Sequence, residues 1–200
     1  MPRQGYHHGN LRQALVDAAL GLIAEKGPQG FTLSEAAKAA EVTPAAVYRH
    51  FAGRDELLVE VARQGYDIFG ALMEYVFDDG KPSALAAFES VGRAYLAFAR
   101  KYPGHYKAMF ESGLPHADVA IAARKCNEVL ENAAARLSEH IPPEKRPPAA
   151  MFSAHIWAMS HGVVELFTRG GARSPFPPED LLEAGIGIYL RGLGLLPPDA

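Results

Sequence analysis

Residues 32–51 read TLSEAAKAAEVTPAAVYRHF, and their types and spacing point to binding rather than bond-making. Thr32 with Glu35 three residues on has the spacing of a capping box. It opens a short helix over about Leu33 to Ala40. Thr43 is placed to cap a further helix, with Pro44 at the first helical position, where a missing N–H costs nothing. That helix ends near Phe51, because Ala52-Gly53 breaks the pattern. Two short helices around a tight turn have the dimensions of a helix-turn-helix, whose second helix enters a DNA major groove. The chemistry would be contact to phosphates, with apolar or hydrogen-bonding contact to base edges.

Charge placement agrees. Residues 1–54 hold six Lys or Arg against four Asp or Glu, a net of +2. The remainder holds fourteen against nineteen, a net of −5. The whole chain of 200 residues is at −3, with 48% apolar and 22% charged side chains. That composition excludes a disordered or fibrous chain and a uniformly basic coat. It allows one ordinary domain or two small ones. The single Cys126 excludes an internal disulfide framework and a multi-cysteine metal site, and suits a reducing compartment. No export signal is expected at the polar N-terminus. The longest uncharged run, Pro147 to Val164, holds two His, two Ser, two Pro and a Gly, which does not make a spanning helix. A cytoplasmic chain without membrane contact is the expectation.

The elements around the motif are helical. Leu11, Ala14, Leu15, Ala18, Leu22 and Ile23 follow the three-and-four rhythm of one buried face, with Asn10 as cap and Gly27-Pro28 as stop. A fourth helix runs from Arg54 to about Phe77, with Leu58, Val61, Ile68, Leu72 and Val76 along one side. Further helices are expected near 83–100, 104–111, 117–139, 148–169 and 178–193, with Pro or Gly at each break. The fold class is all-α, with about nine helices. In the last two long helices, Phe152, Ile156, Met159 and Val163 are spaced four, three, four. Leu182, Ile186 and Tyr189 are spaced four, three. Two such seams suit a four-helix bundle completed by a second copy of the chain. The other reading is that both seams face their own subunit. Small residues such as Ala154, Ala158, Gly162, Gly185 and Gly192, which permit close approach, favour the homodimer.

The chain resembles the TetR family of transcriptional regulators. The likeness lies in LRQALVDAALGLIAEKG, in the motif at 32–51, and in AGRDELLVEVA that follows; Val47-Tyr48-Arg49-His50-Phe51 with Gly53 to Leu58 is its most specific part. Trp157-Ala158-Met159-Ser160-His161-Gly162 and the opening Tyr6-His7-His8-Gly9-Asn10-Leu11 are similar to the branch with a WHG-type C-terminal domain. The resemblance implies an N-terminal DNA-binding domain over 1–54, its last helix continuing to about 69, and a regulatory, ligand-binding and dimerisation domain over 55–200. It also implies a homodimer on a palindromic operator, usually repressing, released by a small-molecule effector. Two heads must meet half-sites roughly 34–36 Å apart or a multiple of that, so a small rotation loses many contacts at once.

Carried onto this sequence, the resemblance puts Thr43, Pro44, Ala45 and Ala46 at the groove end of the recognition helix. Tyr48 and His50 match the backbone-contacting pair, and Arg54 stands where a Lys is usual, at a helix N-terminus that can itself hold phosphate. Lys38, Arg49 and Thr32 are further phosphate candidates, with Arg3 a weaker one. Packing, helix capping and plain surface charge are the competing roles for Tyr48, His50 and Arg49 respectively. Val47, Phe51, Leu33 and Ala37 read as the motif's own packing. Glu41 departs from the usual Gly in the turn, and is strained if the turn needs positive φ.

In the second half, Phe69, Met73, Phe88, Tyr95, Phe98, Met109, Phe110 and Phe152 are apolar enough for a pocket or for a core. His105, Tyr106, His155 and Trp157 are the expected ligand-facing residues. His155 and His161 lie about 220° apart on one helix, so no metal site is expected, and no cofactor. Arg124 and Lys125 beside Cys126 would lower its pKa if they faced it. The chain is therefore not expected to be an enzyme. The alternatives kept are a small all-helical enzyme acting on an apolar substrate in the C-terminal half, and a helical scaffold.

Overall fold

The computed structural model describes residues 11–169 and 175–197. Asn10, Arg3 and the segment 6–10 lie outside the described residues. Among those described there are nine α-helices and no strand: α1 Leu11–Lys26, α2 Leu33–Ala39, α3 Pro44–Val47, α4 Arg54–Phe77, α5 Ala84–Lys101, α6 Pro103–Phe110, α7 His116–Ser138, α8 Ala149–Arg169 and α9 Pro178–Gly192. Most boundaries fall within a residue or two of the expected ones, since caps, prolines and glycines set them. Pro44, Pro103 and Pro178 each open a helix at its first turn, the position where proline costs no hydrogen bond. The exception is α3. It holds four residues and continues to Phe51 as tight turns, with Tyr48 N–H donating to Pro44 O and Phe51 N–H to Val47 O.

Packing divides the chain into two units, one of residues up to Ile68 with Tyr102–Ala123, the other of Phe69–Lys101 with Arg124 onward. This division differs from the expected cut by role after residue 54. In the first unit, α1 packs against α2 and α6, and α2 against α3. Its core comprises Leu15, Val16, Ala19, Ile23, Val47, Phe51, Leu57, Leu58, Val61 and Tyr106. Val16 and Ala19 replace Leu11, Ala14, Ala18 and Leu22, which are only half-buried, because α1 is covered on more than one side. Helix α6 approaches α1 closely: a Cβ on Gly104 would lie 2.6 Å from the Leu20 carbonyl oxygen. Lys107 Nζ donates to Ala24 O at 2.7 Å across the same contact.

The second unit packs α8 on α9 and both on α5. Phe69 meets Phe98 and Tyr95 with ring centroids 4.8 and 5.3 Å apart, and Phe88 stacks with Phe152. The buried stripe of α4 runs through Tyr66, Phe69, Met73 and Phe77. Ile68, Leu72 and Val76, expected on that stripe, are half-buried. Past the end of α4, Asp79 takes positive φ, and Arg136 donates to its carbonyl at 2.6 Å and to its carboxylate.

The α1–α6 contact should tolerate no added carbon. Gly104→Ala should cost about 1–3 kcal/mol in urea unfolding, as overpacking does. Gly21→Ala on α1, where a Cβ meets nothing within 4 Å, should instead be stabilising by about 0.5–1 kcal/mol. Equal effects would contradict the close approach.

Candidate nucleic-acid interface

The interface is built from the turn between α2 and α3. Thr32 adopts an extended backbone, and its hydroxyl accepts from Glu35 N–H while the Glu35 carboxylate accepts from Thr32 N–H at 2.8 Å. This is the expected capping box. Lys26 Nζ lies 2.7 Å from Glu35 Oε1, and this bond, with those from Thr32, pulls the Glu35 carboxyl down to about 2.

At the far end of α2, Glu41 N–H donates to Lys38 O and Val42 N–H to Ala37 O, the paired bonds of a Schellman motif. The motif needs a left-handed residue at Glu41, whose φ is 57°. Glycine fits there freely; a side chain costs about 1–2 kcal/mol. The turn therefore keeps its shape despite the glutamate. Thr43 follows with an extended backbone but makes no capping bond. That corrects the expected N-cap and leaves its hydroxyl facing outward.

Burial then sorts the recognition segment. Val47 is 0% exposed and Phe51 1%, while Tyr48 is 62% exposed. Thr43, Pro44, Ala45 and Arg49 are exposed, and Ala46 and His50 half-buried. Lys38 is exposed on α2. Tyr48, Arg49, Lys38, Thr43 and His50 make no side-chain hydrogen bond or ion pair among the described residues. One face thus carries two unpaired cations, a phenol, a hydroxyl and an imidazole over a small apolar helix start. Two other candidates are already engaged. Thr32 is spent on its cap, and Arg54 donates through Nε and Nη2 to Asp55 Oδ1 at 3.2 and 3.0 Å. Arg12 lies over the Phe51 ring, 4.7 Å from its centroid, bracing that anchor from α1.

The four expected ligand-facing residues do not come together. His105 and Tyr106 belong to the first unit, which corrects their assignment. Tyr106 is 1% exposed. Nδ1 of His105 lies 3.0 Å from the Val61 carbonyl; a carbonyl only accepts, so Nδ1 carries the proton. Burial holds this imidazole below its ordinary pKa. His155 and Trp157 lie in the second unit. His155 is exposed and bonds through Nδ1 to the Tyr189 hydroxyl at 2.9 Å. Trp157 stacks on His161 at 4.8 Å. Cys126 is buried and its thiol is pushed up to about 12, while Lys125 faces Glu74 at 3.6 Å. The expected lowering by neighbouring cations is corrected. Among the described residues no three His, Cys, Asp or Glu converge as metal ligands, and no helix is long and apolar enough to cross a membrane.

The expected seam is rotated. Phe152, Val163, Leu182 and Ile186 are buried within their own chain, which corrects their placement between copies. Ile156, Met159 and Tyr189 are half-buried. The outward apolar face lies about one residue, or 100°, around each helix. It presents Met151, Leu166, Leu181 and Ile188, with the exposed Ala154, Ala158 and Ala184 between them. Periodicity gave the spacing of this face but not its phase.

Two compact helical units, one with a helix-turn-helix whose outer face is cationic and unpaired, define the architecture of a one-chain regulator. Residues 15–61 match the profile described as bacterial regulatory proteins, tetR family. Residues 88–189 match the one described as Tetracyclin repressor-like, C-terminal domain. The chain belongs to the TetR family. An uncharacterised HTH-type transcriptional regulator, YobS of Bacillus subtilis, is 30% identical over 101 residues, covering 50% of this chain and 51% of that protein. The chain thus spans about half the length of that curated relative. A protein of unknown function from Rhodococcus sp. RHA1 has a similar solved structure, with TM-score 0.79 and 26% identity over 96% of this chain and 99% of that one. AibR, solved in complex with isovaleryl coenzyme A and operator DNA, shares the fold at TM-score 0.69 and 17% identity, over 89% of this chain and 97% of that chain.

The capping box gives a pH signature. Because Glu35 is depressed from about 4.5 to about 2, its contribution to α2 is full above the unfolded value and is lost as pH falls through the folded one. Wild type should therefore be more stable than Glu35→Gln at pH 6, with the difference in thermal midpoint shrinking between pH 4.5 and 2. A difference independent of pH would contradict the ionised cap.

Proposed function

We propose that the chain is a homodimeric, cytoplasmic DNA-binding transcriptional regulator. In this reading it represses from a palindromic operator until a small-molecule effector binds the C-terminal unit. The observation that carries the reading is the unpaired outward set Lys38, Thr43, Tyr48 and Arg49 on a turn anchored by Val47 and Phe51. In this reading Pro44, Ala45 and Ala46 meet base edges, while Tyr48, His50, Lys38 and Arg49 hold phosphates. Arg54 joins them by exchanging Asp55 for phosphate, and Thr32 is left to its cap. AibR's complex with operator DNA and isovaleryl coenzyme A supports a shared architecture for operator and effector. His155 and Trp157 stay as effector candidates.

The dimer is proposed on the outward face of α8 and α9. Leu166 is 63% and Ile188 67% exposed, and an apolar stripe of that kind on two adjacent helices marks an interface. The alanines between allow the close approach of a four-helix bundle. Ile188→Arg should give a folded monomer by sedimentation, with weakened operator binding. Ile186→Arg, buried in its own chain, should instead unfold the unit. A dimeric Ile188→Arg protein would move the interface elsewhere.

The function is tested by selecting genomic fragments with the purified protein and titrating the recovered one at two salt concentrations. A palindrome should be recovered. With three cations per head, the slope of log affinity against log salt should be about −5. Tyr48→Ala should weaken binding about tenfold or more while leaving the dimer intact. No enrichment over random DNA, or unchanged affinity in Tyr48→Ala, would contradict the reading.

A further inference from the structure

Helix α8 carries two serines seven residues apart, Ser153 and Ser160. Seven residues are close to two turns, so the hydroxyls share one face about 10 Å apart along the axis. Both line a cavity of about 40 Å³ inside the second unit, walled by Phe88, Val91, Tyr95, Trp157 and Ile186. No residue lining it carries a charged side chain. Ser160 is 4% exposed, and its hydroxyl has no hydrogen-bond partner among the described residues.

A buried hydroxyl without a partner is destabilising unless something in the cavity bonds to it. The volume would hold two or three waters at about 10–15 Å³ each, but a buried water needs about three polar partners. Between the two serines the walls are aromatic and aliphatic, and an ion would find no countercharge. An occupant with an apolar body and one polar group satisfies both the walls and Ser160.

We propose that this cavity binds a small, uncharged, mostly apolar molecule bearing one hydroxyl, bonded to Ser160 Oγ, and that this molecule is the effector. The word effector rests on the regulator reading above; the binding does not. Trp157, the chain's only tryptophan, lines the cavity and stacks on His161, whose Nδ1 lies 3.1 Å from the Tyr95 hydroxyl. An occupant that shifts this stack changes the tryptophan emission.

The test titrates the full chain with 2-propanol, tert-butanol and cyclohexanol, and with cyclohexanecarboxylate and cyclohexylammonium as charged counterparts. At least one alcohol should give a saturable change in emission with Kd of about 1 mM or below, and neither ion should. Ser160→Ala, with unchanged circular dichroism, should bind that alcohol about tenfold more weakly. No saturable response to any alcohol, an equal response to either ion, or unchanged affinity in Ser160→Ala would overturn the proposal. The same alcohol should also release the selected operator fragment. Ser160-dependent binding without release would uphold the cavity's ligand class and overturn its role as effector site.

Discussion

The left-handed backbone at Glu41 is the constraint on which the recognition face depends. It reverses the chain after α2, lets Glu41 and Val42 N–H close on Lys38 and Ala37 carbonyls, and sets the rotation at which α3 begins. From that rotation Val47 and Phe51 point inward, and Thr43, Ala45, Tyr48 and Arg49 outward. A non-glycine residue in that conformation costs about 1–2 kcal/mol. Burying Val47 and Phe51 contributes about 1.5–3 kcal/mol each. The packing therefore outweighs the strain, and the turn holds without a glycine.

The two units solve different packing problems. The first is tight where the recognition segment is braced. Gly104 rests on the Leu20 carbonyl, His105 donates into α4 at Val61, and Arg12 covers Phe51. Its polar groups are bonded inward, apart from the outward set on the turn. The second unit leaves space and surface: a small uncharged cavity beside Trp157 and an apolar stripe on α8 and α9. Rigidity beneath the DNA-facing residues, with room in the other half, suits a protein whose binding is set in one place and adjusted from another.

Much of this was legible in the sequence, for identifiable reasons. Helix ends follow local chemistry, and Thr32, Pro44, Pro103 and Pro178 marked them within a residue or two. The recognition segment was legible because Val47 and Phe51 are its only large aliphatic or phenyl side chains after the turn. Phase was not legible in α8, where apolar residues occur nearly all round: Met151, Phe152, Ile156, Trp157, Met159, Val163 and Leu166 fit two seams equally. Burial chose the inner seam for Phe152 and Val163. His105 and Tyr106 were misassigned because their aromatic character fits a pocket or a core, and only the packing of α6 on α1 decides. Cys126 shows the same limit, since neighbours in sequence do not reveal which side chains share a face.

The account's central claim is that the outward face of residues 43–49 is where DNA sits. A photo-reactive side chain introduced at Ala45, and separately at the exposed Glu89 of α5, tests it directly on the selected fragment. The account predicts cross-links from position 45 to bases within each half-site and none from position 89. Cross-linking from 89 with none from 45 would contradict it.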